Sequence, residues 1–412
     1  MHILLIARHY PPEISGGARR PYLLTQALRS QGHKVTLVTP FNLDDPDHIC
    51  VPNTAIQRGL QKGLQADLKQ DAPNQDEEAN TTRNQQPSPK DILRQWLFWP
   101  DPDIRWARDV VKKLEASDIK PDWLMTTSPP ESSHIAGAAL ARSLNVPWLA
   151  ELRDTWISMP HRVILERSKI RAFFERRIAK RTLSKATAIT GVSETVLQEA
   201  RLYCPPNTPE LVLPHFSRPA RDDSAASGHK TKPVIFDKTS LNIVHTGGFS
   251  FSDRRRELGP LLDVLAPVSK NRPELVLHIV GPLSKAEKSL LKTASVRTLH
   301  HGSVSLDTAH AMQRQADGLL LYTPKDSHAL PGKYAEYALA GRPILYFGGG
   351  SWLSLVEDKA TLRPLIFGLE TLRKGEKTKP TNVLTHHTAA KILFDFLCSV
   401  DTCEQAHPSF DT

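Results

Sequence analysis

LPGKYAEYALAGRPILYFGGG, running from Leu330 to Gly350, is the stretch that decides the fold. It reads as a short loop, a helix of about two turns, a stop at Gly341 and a buried strand. Pro331 and Gly332 suit a helix start, and Gly341 suits the left-handed residue that ends one. Arg342-Pro343 leads into the apolar run Ile344 to Phe347, the pattern of a parallel strand covered on both faces. Lys333 and Glu336, three apart, share one side of the helix near its N-terminus. Free N–H groups there, beside an ammonium, suit a diphosphate. A carboxylate one turn in can accept hydrogen bonds from vicinal hydroxyls such as those of ribose. The same spacing also describes a surface Lys–Glu pair on an ordinary amphipathic helix.

Upstream the same strand-then-helix pattern recurs. LNIVHTGG is a strand running into the Gly247-Gly248 turn, followed by the basic run Arg254-Arg255-Arg256. LVLHIVG, TLHHGSV and GLLLYTP are further strands, separated by predicted helices from Ser284 to Ala294 and from Leu306 to Ala316. Such alternation makes a doubly wound sheet, expected here over residues 240–385. Arg255 and Arg256 stand just after a glycine turn at a strand's carboxyl end. They either make bidentate phosphate contacts or line a solvated helix face. Residues 386–412 carry an amphipathic helix around Ala389 to Val400 and a tail.

The first half, residues 1–216, has the same alternation. HILLIA and KVTLVTP are strands, and between them a loop containing Gly16 and Gly17 leads into a helix. Those glycines let backbone N–H groups approach a phosphate or sugar closely. WLMTTSPP is a strand followed by a helix from Glu131 to Leu144 carrying His134. PWLAELRD is the next strand, with Arg153, Asp154 and Trp156 at the end where open parallel sheets place ligands. Read singly, His134 is a cap or surface residue and Arg153-Asp154 a structural ion pair; read together, they are site residues. Residues 55–90 are polar and poor in aromatic and β-branched side chains, the composition of a mobile insertion. Residues 217–239 read as a linker between the halves. A basic helix from Arg162 to Lys185 interleaves Arg and Lys with Ile164, Ile170, Phe173, Phe174 and Ile178. It either lies on an anionic membrane surface or packs its apolar stripe on the sheet and leaves its basic face in water.

At 412 residues, 40% hydrophobic and 24% charged, the chain suits two soluble domains. A net charge of +9 points to an anionic partner. No nucleic-acid motif or ladder of basic and aromatic residues accompanies it, so nucleic acid is not expected. The four cysteines form neither a disulfide framework nor a zinc pattern, which fits a reducing cytoplasm. MHILLIA is too short for a signal peptide or a span, and no later apolar run reaches spanning length.

The reading P-G-K-x-x-E-Y-x-x-x-G-x-P at Pro331 to Pro343 resembles the donor-site signature of the retaining family 4 glycosyltransferases of GT-B fold. Tyr10 to Gly17 and the pairing of S-P-P-x-x-x-H with L-R-D-x-W resemble the same family. The resemblance implies two Rossmann-like domains facing across a cleft, with the acceptor on the N-terminal side. It implies transfer of a sugar from a nucleoside-diphosphate donor to a glycan or lipid-linked acceptor, with retention, as in bacterial surface polysaccharide or lipopolysaccharide synthesis. Lys333, Arg255 and Arg256 would then face the diphosphate and Glu336 the ribose, with Gly16, Gly17, Gly247, Gly248 and Gly332 lining the ligand. His134, Asp154 and Arg153 would serve the chemistry. No metal motif and no cofactor beyond the donor is expected. The family's second basic residue after the arginine is absent, its usual upstream acid is replaced by His328, and its Asn-Gly pair by His215-Phe216. A nucleotide-sugar epimerase of the same fold and an inactive transferase-like scaffold are the alternatives.

Overall fold

The computed structural model describes residues 1–13, 16–53, 99–158, 168–219, 236–253, 255–325, 327, 330–356, 361–379 and 383–406. The insertion expected at 55–90, most of the expected linker, Arg254 and His328 lie outside them. The chain divides into two compact units. One runs from Met1 to Pro214, apart from some residues outside the described set, and resumes at His386; the other runs from His215 to Thr385.

The first unit has seven parallel strands in the order β3-β2-β1-β4-β5-β6-β7. They are β1 (His2–Ile6), β2 (Lys34–Thr39), β3 (His48–Cys50), β4 (Trp123–Ser128), β5 (Trp148–Leu152), β6 (Ala188–Gly191) and β7 (Glu210–Val212). The helices are α1 (Gly16–Ser30), α2 (Ile104–Glu115), α3 (Ser132–Leu144), α4 (Lys169–Leu183) and α5 (Glu194–Arg201). Strands β4 and β5 are buried along their whole length, their apolar starts giving way to Thr126, Thr127 and Ser128 in β4 and to Glu151 in β5. Leu4 and Ile6 of β1 join Trp106 and Val110 of α2, Trp148 of β5 and Leu197 of α5 in one core.

The second unit has six parallel strands in the order β10-β9-β8-β11-β12-β13. They are β8 (Leu241–Thr246), β9 (Leu275–Val280), β10 (Arg297–Gly302), β11 (Gly318–Tyr322), β12 (Ile344–Phe347) and β13 (Leu362–Pro364). Its helices are α6 (Leu258–Asn271), α7 (Lys285–Thr293), α8 (Leu306–Gln315), α9 (Gly332–Leu339) and α10 (Leu365–Thr371). Ser284 caps α7 in a capping box with Glu287. Gly341 ends α9 with φ +71°. Two apolar clusters, around Leu261, Leu277 and Leu345 and around Val244, Leu319 and Tyr337, sandwich this sheet.

The last helix, α11 (His386–Ala406), is longer than the periodicity suggested and packs on α1 within the first unit. Phe394 stacks on His33 with centroids 4.2 Å apart, and Trp123 Nε1 donates to Asp401 Oδ1 at 3.0 Å.

Helix α4 meets the core-packing reading only in part: Ile178 packs against the core and the basic residues apart from Arg171 are exposed, while Ile164 lies outside the described residues. Its buried residues are Arg171, Ala172, Glu175, Ala179, Thr182 and Leu183. Ile170, Phe173 and Phe174 are exposed instead of facing the sheet. The cause is a polar anchor: the Glu175 carboxylate accepts from Trp99 Nε1 at 2.6 Å and from Trp156 Nε1 at 3.1 Å. Arg171 lies 3.9 Å over the Trp99 ring and donates to the Pro100 carbonyl. Once these groups turn inward, the helical repeat carries the rings outward.

Candidate functional site

In the second unit the candidate residues gather at the carboxyl end of β8. Gly247 follows that strand with φ +123°, and its amide donates to the Val280 carbonyl at 2.8 Å. A Cβ on Gly281 would stand 2.4 Å from the Gly247 oxygen, so the turns after β8 and β9 nest only without side chains. A Cβ on Gly247 would meet Lys333 Cε at 3.9 Å, which brings the lysine of α9 to the glycine turn. Gly248 lies against Phe251 and Ser252, and Gly332 against the His215 ring.

A buried polar network locks α9 to this turn. Tyr337 Oη accepts from the Thr246 amide at 2.8 Å. Gln313 of α8 donates through Nε2 to Thr246 Oγ1 and to Glu336 Oε1. Lys333 Nζ donates to Glu336 Oε2 at 3.0 Å, and His310 Nε2 lies 3.6 Å from Glu336 Oε1. Glu336 is buried, whereas the Lys333 side chain is one-third exposed at 34%. The predicted pair therefore exists, but as the inner end of a network and not as a surface bridge. A carboxylate so held keeps its direction.

The two arginines part company. Arg255 is exposed and folds back on Asp253, with Nη2 2.8 Å from Oδ2. Arg256 is partly buried, its Nε has no hydrogen-bond partner among the described residues, and burial pushes its pKa down. Next to it stands a residue the sequence reading passed over. His245 is buried at the end of β8 and stacks on Phe249 with centroids 4.4 Å apart. Its Nδ1 lies 3.0 Å from the Leu320 carbonyl, which can only accept, so Nδ1 carries the proton and Nε2 is a bare acceptor without a partner. Burial, with Arg256 and Lys333 adding to it, pushes the His245 pKa down to about 4. The available signal was an ionisable residue at the carboxyl end of an otherwise apolar strand.

In the first unit Gly16 and Gly17 open α1. Arg153 donates through Nε to the Ser128 carbonyl at 2.7 Å, through Nη1 to Gly17 at 2.6 Å and through Nη2 to Pro129 at 2.7 Å. With every guanidinium nitrogen engaged by a carbonyl, Arg153 positions the glycine turn and the loop after β4. His134 is fully buried among Trp148 and Trp156. Thr126 Oγ1 accepts from Trp148 Nε1 and lies 2.7 Å from His134 Nδ1. His134 Nε2 is buried and has no hydrogen-bond partner among the described residues. Burial first, then the Arg153 charge, lowers its pKa to about 3, so the ring is neutral. Asp154 is exposed, and its charge acts on Arg153. A buried pair unmarked in the sequence, Arg20 of α1 and Glu151 of β5, closes at 2.8 Å, and Arg20 also donates to the Leu213 and Pro214 carbonyls.

Comparison with known proteins bears on the fold. Residues 15–215 match the family model described as the glycosyl transferase 4-like domain. No curated protein sequence matches the chain. Among solved structures, sucrose-phosphate synthase from Thermosynechococcus elongatus superposes with a TM-score of 0.57 at 15% identity, covering 97% of this chain and 90% of that one. A glycosyltransferase involved in avilamycin A biosynthesis superposes at 0.51 and 14% identity, covering 97% and 98%. The Anabaena protein HepE in complex with UDP-glucose superposes at 0.52 and 13% identity, covering 99% and 100%. Residues 15–215 are thus similar to a glycosyl transferase 4-like domain, and the two parallel-sheet units have the GT-B fold.

Proposed function

We propose that this protein is a glycosyltransferase that moves a hexosyl group, with retention, from a nucleoside-diphosphate sugar to a hydroxyl of a glycan or lipid-linked acceptor. The observation that carries the reading is the group at the end of β8: Arg256 with an orphaned Nε, Lys333 against the Gly247 turn, and Glu336 held by Gln313. Cationic donors beside a side-chain-free turn suit a diphosphate, and a fixed carboxylate suits ribose hydroxyls. In the transfer, the bond from the sugar C1 to the phosphate oxygen breaks and its electron pair leaves on the diphosphate. A bond from the acceptor oxygen to C1 forms, and the hydroxyl proton passes to a base or to solvent. Arg256, Lys333 and, at the surface, Arg255 stabilise the departing charge. The HepE complex with UDP-glucose supports a uridine nucleotide as the first donor to test. On the other domain, His134 and Asp154 serve the sugar and the acceptor, with Arg153 positioning Gly17. We assign the enzyme to surface polysaccharide or lipopolysaccharide synthesis, as a peripheral protein on the cytoplasmic face of the membrane.

A thermal-shift screen of nucleotide sugars, followed by product analysis with and without acceptor, tests this. A ligand at 100 times its Kd adds about 2.7 kcal/mol of stability. Stabilisation by no nucleoside diphosphate refutes the donor site; conversion of donor without acceptor makes the protein an epimerase.

A further inference from the structure

We infer that the outer face of α4 is a docking surface for an anionic lipid bilayer, with Ile170, Phe173 and Phe174 as the inserted residues. This deepens the peripheral-membrane part of the proposed function by naming the surface, and it rests on that part alone, not on the donor site. Ile170 is 65% exposed, Phe173 52% and Phe174 47%, and at spacings of three and four they form one patch. The two rings stand edge to face with centroids 5.5 Å apart, and the Arg177 guanidinium lies 5.6 Å over Phe173.

What surrounds the patch selects its occupant. Lys169, Arg176, Arg177, Lys180 and Arg181 are all exposed on the same helix. The helix has one acidic residue, Glu175, and that is buried under Trp99 and Trp156. The exposed side of α4 therefore carries apolar rings and cations and no carboxylate. A complementary protein surface would need an apolar recess rimmed by several acids; an anionic bilayer supplies both features over any orientation in its plane. At 15 residues the helix is about 22 Å long, too short to span, so it lies in the headgroup layer. The internal anchor matters here, because Glu175 and Arg171 fix the rotation of α4 and keep the rings outward before any membrane is met.

Flotation of the full chain tests the inference with vesicles of phosphatidylcholine alone and of phosphatidylcholine mixed with phosphatidylglycerol. Binding is expected only to the mixed vesicles and should fall at high salt as charges are screened. Arg176→Gln and Arg177→Gln should each weaken it about fivefold, the effect of one basic side chain near an anionic surface. The triple variant Ile170→Ser, Phe173→Ser, Phe174→Ser should abolish flotation while retaining the thermal midpoint and the affinity for UDP. Failure of the wild-type chain to float with the mixed vesicles overturns the inference, as does undiminished flotation of the triple variant. A dimer in solution that the triple variant dissolves also overturns it, by giving the patch to a second copy of the chain. UDP affinity is read separately, so loss of the membrane reading leaves the donor site standing, and the reverse.

Discussion

Glu336→Gln separates the two parts a buried carboxylate can play beside a lysine. The substitution keeps the side-chain volume and leaves a carbonyl to accept from Gln313 Nε2, so the network to Thr246 survives. Alanine would instead open a cavity and orphan Gln313, confusing binding with folding. What glutamine removes is the charge, which lies 3.0 Å from Lys333 Nζ. A hydrogen bond to a charged group contributes about 1.5–3 kcal/mol and one to a neutral group about 0.5–1.5, so a ribose held by Glu336 should lose about 1–1.5 kcal/mol, roughly tenfold in Kd. The same change releases the Lys333 ammonium toward a phosphate. Uridine, which has no phosphate, should therefore weaken about tenfold by ligand-observed NMR, whereas UDP should weaken less by calorimetry. Unchanged uridine affinity with tighter UDP would refute the ribose assignment and reduce Glu336 to the counterion of Lys333.

Three further outcomes follow from the geometry. Arg256→Gln should lower kcat roughly 100-fold with little change in KM, because a partly buried donor facing the leaving charge acts mostly in the transition state. Arg255→Gln, whose guanidinium already faces Asp253, should do far less, and equal kinetics for the two variants would contradict the split. Glu175→Ala strands Arg171 and two indole N–H groups in the interior and should cost about 3–5 kcal/mol in urea unfolding; a loss below about 1 kcal/mol would show the anchor to be incidental. His134 and His245 titrate near 3 and 4 in the folded chain against 6.5 when unfolded, so the unfolded state binds the extra protons. Stability should be full above pH 6.5 and fall between 6.5 and 4 by about 1.4 kcal/mol per pH unit for each ring. His245→Gln should flatten that slope in urea titrations from pH 7 to pH 5, and an unaltered slope would show that its ring is not held neutral.

The architecture was legible because strands covered on both faces leave unbroken runs such as ILLI and LLLY, and glycines mark where loops must nest. Gly341 and the two-turn α9 could be read from local chemistry alone. The edge strands β3 and β13 could not, since three residues carry no periodicity. Nor could the partners of the site residues. Arg20 meets Glu151 across 131 positions and Gln313 meets Glu336 across 23, contacts that only the fold creates. Helix α4 shows the limit most clearly. Its Ile and Phe spacing fits a core stripe as well as an exposed one, and the choice is made by indoles, one of which lies 76 residues away.

The return of α11 to the first unit makes the second an insertion within it. The chain leaves at Pro214 and comes back at His386, so residues 215–385 are bounded by two exits from the same body. A fragment ending at Pro214 would lack the helix that covers α1, leaving His33 without Phe394 and the Trp123 indole without Asp401. Cutting the chain after Pro214 thus strips the first unit of a wall and leaves the second carrying a helix whose partner is gone. A functional N-terminal half needs residues 386–406 joined to Pro214 by a short linker.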